Sequence, residues 1–189
     1  AFSDGKYNIT NEFGGTLHEY VGADTAIDLM EYVDAINCQY GGAETKLYKN
    51  NDQEIAKKCL QSDLHLLKAN VRHLGTDINY KVLTHLYDEL KEKVDFYFYH
   101  HVDQVDPIEG GYQVSVKDQM YTGKKCIIST GRSGSKWMEQ ICQHLNIGTE
   151  SNRVDIGVRV EVNADTFSEL TDSLYESKIV YRSKKYQDL

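Results

Sequence analysis

The segment Gly131-Arg132-Ser133-Gly134-Ser135 has the composition of an anion-binding turn. It lies between the apolar run Cys126-Ile127-Ile128 and a helical pattern that begins near Ser135. Unpaired amides at a helix start, glycines without side chains and a nearby arginine can together hold a phosphate group. The spacing matches neither GxGxxG nor the P-loop pattern, so a tight strand-to-helix turn without a ligand explains the same residues.

Two other polar segments could do chemistry. Asp4-Gly5-Lys6 combines a glycine with one cation, a pattern that is also typical of a surface turn. His100-His101 lies at the end of a strand-like run, and neighbours on a strand point to opposite faces, so this pair would not bind one metal ion together. The other five histidines are scattered without a His-x-x-x-His pair, and we therefore predict no metal site.

Hydrophobic periodicity predicts the elements that must position these segments. Apolar residues at three- to four-residue spacing predict helices over 24–40, 51–60, 76–90, 135–145 and 165–174. Alternating, β-branched or aromatic residues predict strands over 94–102, 112–116, 126–129 and 156–162. We expect loop over 1–20, strand or loop over 64–74, and antiparallel pairing across the Gly110-Gly111 turn. The order predicts a mixed α/β (α+β) chain with helices, a β-meander and a partial sheet.

Composition excludes several classes of function. The chain has 189 residues, enough for one domain or slightly more, with a core that needs no disulfides. A net charge of −8 and the lack of a long Lys/Arg cluster argue against nucleic-acid binding. The mean hydropathy of −0.55 and the lack of an apolar stretch near ~20 residues argue against a membrane partner.

The cysteines and the chain ends indicate the compartment and the completeness of the chain. Cys38, Cys59, Cys126 and Cys142 form no CxxC pair, so we expect buried free thiols in a reducing compartment, the cytoplasm. No signal peptide is visible. The sequence does not begin with Met and stops without a terminating feature, so we expect it to be a piece of a longer protein.

Four segments, taken in order, resemble the signature segments of a known family: Phe2–Lys6, Arg72–Asp77, Ile128–Gly134 and Val154–Glu161. The family comprises poorly characterised FAD-dependent dehydrogenases with the glutathione-reductase-type flavoprotein fold, which has two dinucleotide-binding domains. The Thr-Gly segment is common among flavoproteins, whereas the His-Leu-Gly-Thr-Asp and Ile-Gly-Val-Arg segments are more specific. Ser129 stands where an alanine is usual in the family, which affects only the expected packing.

The resemblance implies a division of the chain. Family members carry an N-terminal βαβ unit whose GxGxxG loop holds the FAD pyrophosphate at a helix start, and this sequence contains no such loop. Residues 1–23 would be a flavin-proximal loop, and 24–74 a helical insertion on the substrate side. Residues 75–150 would be part of the FAD-binding domain, with the meander and the Thr-Gly segment. Residues 151–189 would begin a second substrate-side segment.

The same resemblance implies the cofactor contacts. Ser3, Asp4, Gly5 and Lys6 would lie near the flavin. Strand 94–102 would reach the adenine side, with the backbone of Val102 as the contact. Thr130 and Gly131 would pass close to the cofactor.

The resemblance also implies an oxidoreductase. The parent protein would transfer hydride or electrons through bound flavin to an unknown small-molecule substrate, with NAD(P)H as a candidate donor. We expect this chain by itself to be flavin-free and inactive. Lys6, His73 and Arg159 are polar candidates within the family-like segments, each of which could equally be structural, and no catalytic base is assigned. The alternative is a non-catalytic α/β ligand-binding or protein-interaction domain in which these segments are turns that maintain the fold.

Overall fold

The computed structural model describes residues 3–151 and 154–186, and Phe2 of the first family-like segment lies outside them. The elements follow in the order β1 (Lys6–Ile9), α1 (Leu17–Val21), α2 (Ala23–Gln39), β2 (Leu47–Asn50), α3 (Gln53–Gln61), β3 (Leu64–Leu66), β4 (Ala69–His73), α4 (Gly75–Leu90), β5 (Gln104–Ile108), β6 (Gly111–Val116), β7 (Gln119–Gly123), α5 (Ser135–His144), α6 (Ala164–Ser173) and β8 (Ile179–Tyr181). Short 3-10 turns occupy Gly42–Glu44 and Arg132–Gly134. The mixed α/β class is as predicted, with 40% helix and 19% strand.

The chain divides into two units. The first unit contains the residues up to Val94 and those from Val160 onward, and the second unit is Asp95–Arg159. In the first unit, β4 is the central strand of an antiparallel sheet with the order β1-β4-β2. Most of β4 is buried, with Val71 fully enclosed.

A buried ion pair joins α2 to this sheet. Arg72 Nε donates to Asp34 Oδ1 at 2.6 Å, and Arg72 Nη2 donates to Asp34 Oδ2 at 2.9 Å. Arg72 Nη1 also donates to the Thr45 carbonyl at 2.6 Å. The planar guanidinium therefore meets the carboxylate with two parallel hydrogen bonds, which fixes both distance and angle.

The first unit also contains an apolar cluster built on α3. Ile55 and Cys59 of α3 pack with Leu174, which follows α6, and β3 pairs with β8 next to them. The Asp52 carboxylate accepts hydrogen bonds from the Glu54 and Ile55 amides and so caps α3. The cluster brings Leu170 of α6 and Leu174 against α3, far from them in sequence.

The second unit is built on the antiparallel meander β5-β6-β7. Ile108 pairs with Gly111 across a turn in which Gly110 has a φ of +78°, so the predicted pairing across Gly110-Gly111 is confirmed. Val105 and Val116 of the meander are buried. The helix α5 follows, with Ile141 and Cys142 buried.

Three predicted strands are absent from the structure. Residues 94–102, 126–129 and 156–162 form no strand. Ile127, expected in a buried strand, is 91% exposed, and Ile156 is 95% exposed. A strand requires a hydrogen-bonded neighbour, and these segments have no ladder partner within the described residues. Alternating, β-branched or aromatic residues were therefore not enough by themselves to predict a strand.

The helical predictions are confirmed, with changes at the ends. All five predicted helices are present as α2, α3, α4, α5 and α6. Residues 1–20, expected to be loop, instead contain β1 and most of α1, while 64–74 contains β3 and β4. All four cysteines are free, and Cys59 and Cys142 are buried while Cys38 and Cys126 are half-buried. Within the described ranges, the helices are all too short or too polar to cross a membrane.

Candidate functional site

A cleft in the second unit is lined by residues from two separate segments. Its volume is about 350 Å³, and its walls are His100, His101, Val102, Thr130, Ser133, Gly134 and Trp137. The first three residues precede β5, and the others lie between β7 and the first turn of α5. We refer to this feature as the Trp137 cleft.

Two glycines shape the loop that forms one wall of the Trp137 cleft. Gly131 has a φ of +67° and a ψ of −168°, a conformation that is essentially restricted to glycine. A Cβ on Gly134 would lie 2.5 Å from the Thr130 Cβ, which no side chain could tolerate without a shift. The Gly134 amide donates to the Gly131 carbonyl at 3.2 Å. The glycines thus let Thr130 pack directly against the start of α5.

The meander positions the other wall. The Asp103 amide donates to the Ser115 carbonyl at 2.9 Å, and the Asp103 carboxylate accepts from the Lys117 amide at 2.6 Å. The Tyr97 ring packs edge-on against Tyr121 of β7, with centroids 4.8 Å apart. The hydrogen bonds of Asp103 therefore hold the neighbouring Val102 close to β6, although residues 94–102 do not form a strand.

One residue that lines the Trp137 cleft carries a buried hydrogen-bond donor with no acceptor among the described residues. Trp137 Nε1 is buried, and no described residue accepts a hydrogen bond from it. A buried N–H without a partner costs about 1–3 kcal/mol, and a bound acceptor would recover that free energy. The indole ring and the two imidazoles also provide flat surfaces on which an aromatic ligand can stack.

Some of the residues singled out in the sequence line the Trp137 cleft, and others lie elsewhere. The cleft brings Val102 and Thr130 together, and Gly131 lies directly after Thr130 in the same loop. The prediction that His100 and His101 point to opposite faces of a strand is wrong, because their segment is not a strand and both residues line the cleft. Ser3, Asp4, Gly5 and Lys6 belong to the first unit.

A second polar group, here called the His73 cluster, consists of Asp4, Lys6, His73, Tyr175 and Glu176. Lys6 Nζ lies 3.0 Å from Glu176 Oε2. His73 Nδ1 is hydrogen-bonded to the Tyr175 hydroxyl, and His73 Nε2 lies 3.6 Å from Asp4 Oδ2. Three of the sequence candidates, Asp4, Lys6 and His73, therefore share one site with two further ionisable side chains.

Sheet register and one buried amide assemble the His73 cluster. Lys6 and His73 are directly opposite on β1 and β4, so their side chains lie on the same face. Asn50, 1% exposed, accepts from the Tyr175 amide through Oδ1 at 3.2 Å and donates to the Glu176 carbonyl through Nδ2. The Tyr175 ring stacks on Tyr48 of β2, with centroids 4.1 Å apart.

Gly5 and Ser3 have structural contacts in this unit. A Cβ on Gly5 would lie 2.8 Å from the Asn79 Cβ of α4, and Gly5 has a φ of +65°. Asn79 donates to the Ser3 carbonyl at 3.1 Å and accepts from the Tyr7 hydroxyl at 3.2 Å. Asn79 thus anchors the segment that carries Asp4 and Lys6 against α4.

The environment of Tyr175 keeps its phenol protonated. Burial is the main factor that raises the pKa of Tyr175, and the nearby Tyr48, Asp4 and Glu176 raise it further. Lys6 acts in the opposite direction. The Tyr175 hydroxyl therefore meets His73 Nδ1 as a neutral phenol, which can either donate or accept in this hydrogen bond.

Sequence reasoning missed Trp137 as a cleft residue and Tyr175 and Glu176 as site residues. Tyr175 is 102 positions from His73, and no local pattern connects the two. Arg159 lies in an exposed segment of the second unit that is not a strand.

No family model, curated protein or solved structure matches the chain significantly. The described part of the chain contains no group of three or more His, Cys, Asp or Glu side chains placed to hold a metal ion. The functional argument therefore depends on the two sites themselves.

Proposed function

We propose that this chain contributes the adenosine-binding part of an FAD site in a flavin-dependent oxidoreductase. The observation that carries the proposal is the convergence of Val102 and Thr130 in the Trp137 cleft. The family resemblance assigns both residues to the cofactor, and they come from segments on either side of the meander. Their convergence is what a shared ligand requires.

The Trp137 cleft also fits the chemistry of adenosine. Its volume of about 350 Å³ is within the usual range for small-molecule sites. The purine offers ring nitrogens as acceptors for the unpaired Trp137 Nε1 and a flat face for the imidazoles. Gly131 and Gly134 leave the backbone accessible to a ligand, since neither has a Cβ.

In this proposal the residues of the chain bind and orient the cofactor. Trp137 and the backbone near Val102 would hold the adenine, and Thr130-Gly131 would contact the adjoining ribose. The flavin ring would supply the hydride or electron transfer. The assignment of Ser3, Asp4, Gly5 and Lys6 to the flavin end, and of NAD(P)H as donor, rests on the resemblance alone.

The alternative is a non-catalytic α/β domain that binds an aromatic ligand or a protein in the Trp137 cleft. The unpaired indole N–H and the stacking surfaces favour a ligand of this kind in either case. The visible absorption of the purified protein distinguishes the two functions. The complete gene product should purify with the visible absorption of oxidised flavin if the proposal is right, and a colourless product with normal folding would favour the alternative.

Substitution of Gly131 tests the loop. Gly131→Val would force a branched side chain into a backbone conformation reserved for glycine, although open space surrounds the new Cβ. We expect FAD content in the complete gene product to fall by more than the accompanying loss of folding stability. Gly148→Val, in a coil segment with nothing within 4 Å of the new Cβ, is the matched control and should retain FAD. Full FAD content in Gly131→Val would refute the cofactor role.

Substitution of Trp137 tests the donor. Trp137→Phe keeps an aromatic ring but removes the Nε1–H, so it removes one hydrogen bond to the ligand. We expect the dissociation constant for FAD to rise about two- to tenfold, with folding stability unchanged or increased because the unpaired N–H is gone. Unchanged FAD affinity would mean that Trp137 does not contact the adenine.

A further inference from the structure

The first unit has a groove along the outer edge of β1. Its volume is about 440 Å³, and one wall consists of the consecutive residues Lys6, Tyr7 and Asn8. Successive side chains of a strand point to opposite faces of its sheet, so a groove lined by three successive residues runs along the edge of the strand. The other wall, from α1 and α2, is largely apolar and includes Leu17, Leu29, Met30 and Val33. We refer to this feature as the β1 groove.

The outer edge of β1 has main-chain groups without a partner strand. The sheet order is β1-β4-β2, and within the part of the chain that the structure describes, no strand pairs with the other side of β1. The Leu74 amide donates to the Gly5 carbonyl at 2.9 Å, and the register continues from there to Ile9 without a break. Because hydrogen-bonded residues alternate in an antiparallel ladder, the N–H and C=O groups of Lys6 and Asn8 point away from β4.

This edge lacks the usual protection against a further strand. β1 contains no proline, and its register with β4 has no bulge. Its one charged side chain, Lys6, lies opposite His73, whereas Arg72 occupies the other face, where it binds α2. The Lys6 ammonium is held 3.0 Å from Glu176 Oε2 and therefore does not cover the α2 side of the groove.

An added strand would meet apolar surface as well as hydrogen-bonding groups. Leu29 and Val33 are four residues apart on α2, so they lie on one face of the helix, and both are exposed. Side chains alternate along a peptide strand. Every second side chain can therefore pack on Leu29 and Val33 while the main chain bonds to Lys6 and Asn8.

The charge of α1 and α2 favours a basic partner. Residues 17–39 contain no Lys or Arg and five carboxylates, those of Glu19, Asp24, Asp28, Glu31 and Asp34. Asp34 is paired with Arg72, and the other four are exposed. A second copy of the chain would bring its own net charge of −8 to the groove and be repelled, whereas a peptide with Lys or Arg would be attracted.

We propose that the β1 groove binds an extended basic peptide, which adds a strand to β1 and packs alternate apolar side chains on Leu29 and Val33. Main-chain hydrogen bonds to Lys6 and Asn8 fix the peptide in register. The groove lies in the first unit, and the proposal does not depend on the FAD site.

An alternating lysine–valine pentapeptide with blocked ends is the probe, and hydrogen exchange of the full chain is the measurement. We expect the Lys6 and Asn8 amides to exchange at least about tenfold more slowly with saturating peptide. The Tyr7 and Ile9 amides, bonded to β4, should be slow in both states. No protection at Lys6 and Asn8 would overturn the proposal. Protection in the free chain that grows with its concentration would also overturn it, in favour of a second copy.

Two kinds of altered peptide test charge and main-chain bonding separately. A glutamate–valine pentapeptide keeps the alternation and reverses the charge, and calorimetry should show about tenfold weaker binding. N-methylation of either the lysine or the valine amides blocks one edge of the peptide strand, so one isomer should lose binding and the other keep it. Equal affinities within either pair would contradict the proposal.

Asn8→Pro tests the edge from the side of the chain. It removes an N–H that β4 does not use, so the fold should persist while affinity for the lysine–valine peptide falls about tenfold. Lys49→Pro on β2 is the matched control and should keep the affinity. Asn70 lies opposite both Ile9 and Lys49 and bonds to Ile9, so the Lys49 N–H also points away from β4. Unchanged affinity in a folded Asn8→Pro variant would refute strand addition at β1.

Leu29→Gln tests the apolar wall without touching the strand. We expect several-fold weaker binding of the lysine–valine peptide, because the glutamine removes apolar surface from the groove. Leu60→Gln, at an exposed leucine on α3, is the control and should bind normally. Equal affinity in the two variants would contradict packing of the peptide on α2.

Discussion

The two units differ in the residues that they bury. In the first unit the buried set includes polar and charged side chains, whereas the buried residues described in the second unit, Val105, Val116, Ile141 and Cys142, are all apolar or thiol. The buried polar residues of the first unit are Thr10, Asp34, Asn37, Asn50, Arg72 and Asn79. Several of them connect segments that are far apart in sequence, such as Asn50 with Glu176 across 126 positions.

This difference indicates how each unit specifies its structure. Hairpins with short turns build the meander, so its register depends on neighbours in sequence. The sheet of the first unit is joined to its surrounding segments by buried hydrogen bonds whose geometry excludes other arrangements. The first unit should therefore be sensitive to the loss of a polar partner, and the second unit to the gain of a polar group.

Asp34→Ala should have the largest effect. The substitution leaves the Arg72 guanidinium buried without its carboxylate, and breaking such a pair typically costs about 3–5 kcal/mol. Urea unfolding should show this loss in the first unit. Asp28→Ala, exposed on the same helix, should change the free energy of unfolding by less than about 0.5 kcal/mol. A similarly small effect of Asp34→Ala would remove the proposed contrast between the units.

Val105→Thr should have the next largest effect. Val105 is 2% exposed in the meander, so a hydroxyl introduced there would be shielded from water. We expect a loss of about 1–3 kcal/mol in the stability of the second unit, monitored by hydrogen exchange of the β6 amides. Met120→Thr on exposed β7 is the control and should have little effect. A neutral Val105→Thr would show that the second unit tolerates buried polar groups as well as the first does.

Asp106→Asn should have the smallest effect, visible as a change in pH dependence. The hydrogen bond from His144, followed by that from Gln104, lowers the pKa of Asp106 below its usual value. Because the folded pKa is lowered, the stabilisation is present above the unfolded pKa of about 4 and disappears as the pH falls through the folded pKa. The variant should therefore lose less stability than the wild type between about pH 5 and pH 2. Identical acid profiles for the two proteins would contradict this.

The comparison of two alternating segments explains which strands were predictable. Residues 112–116 and 156–162 have the same apolar alternation, yet only the first forms a strand. The first segment follows a two-glycine turn that returns the chain to β5. The second segment has no such turn, and its apolar side chains are exposed, as Val158 at 89% shows. Alternation selects the residues that can form a strand, whereas the partner decides whether they do.

The sequence by itself determined the helices, the meander and the mixed α/β class, because each depends on periodicity or on a turn between neighbours in sequence. It also singled out Lys6, His73, Val102 and Thr130, through the family resemblance. The tertiary structure alone placed Tyr175 beside His73, Glu176 beside Lys6, and Trp137 in the same cleft as Thr130. These contacts arise from sheet register, buried amides and loop closure, which join distant segments and leave no local pattern in the sequence.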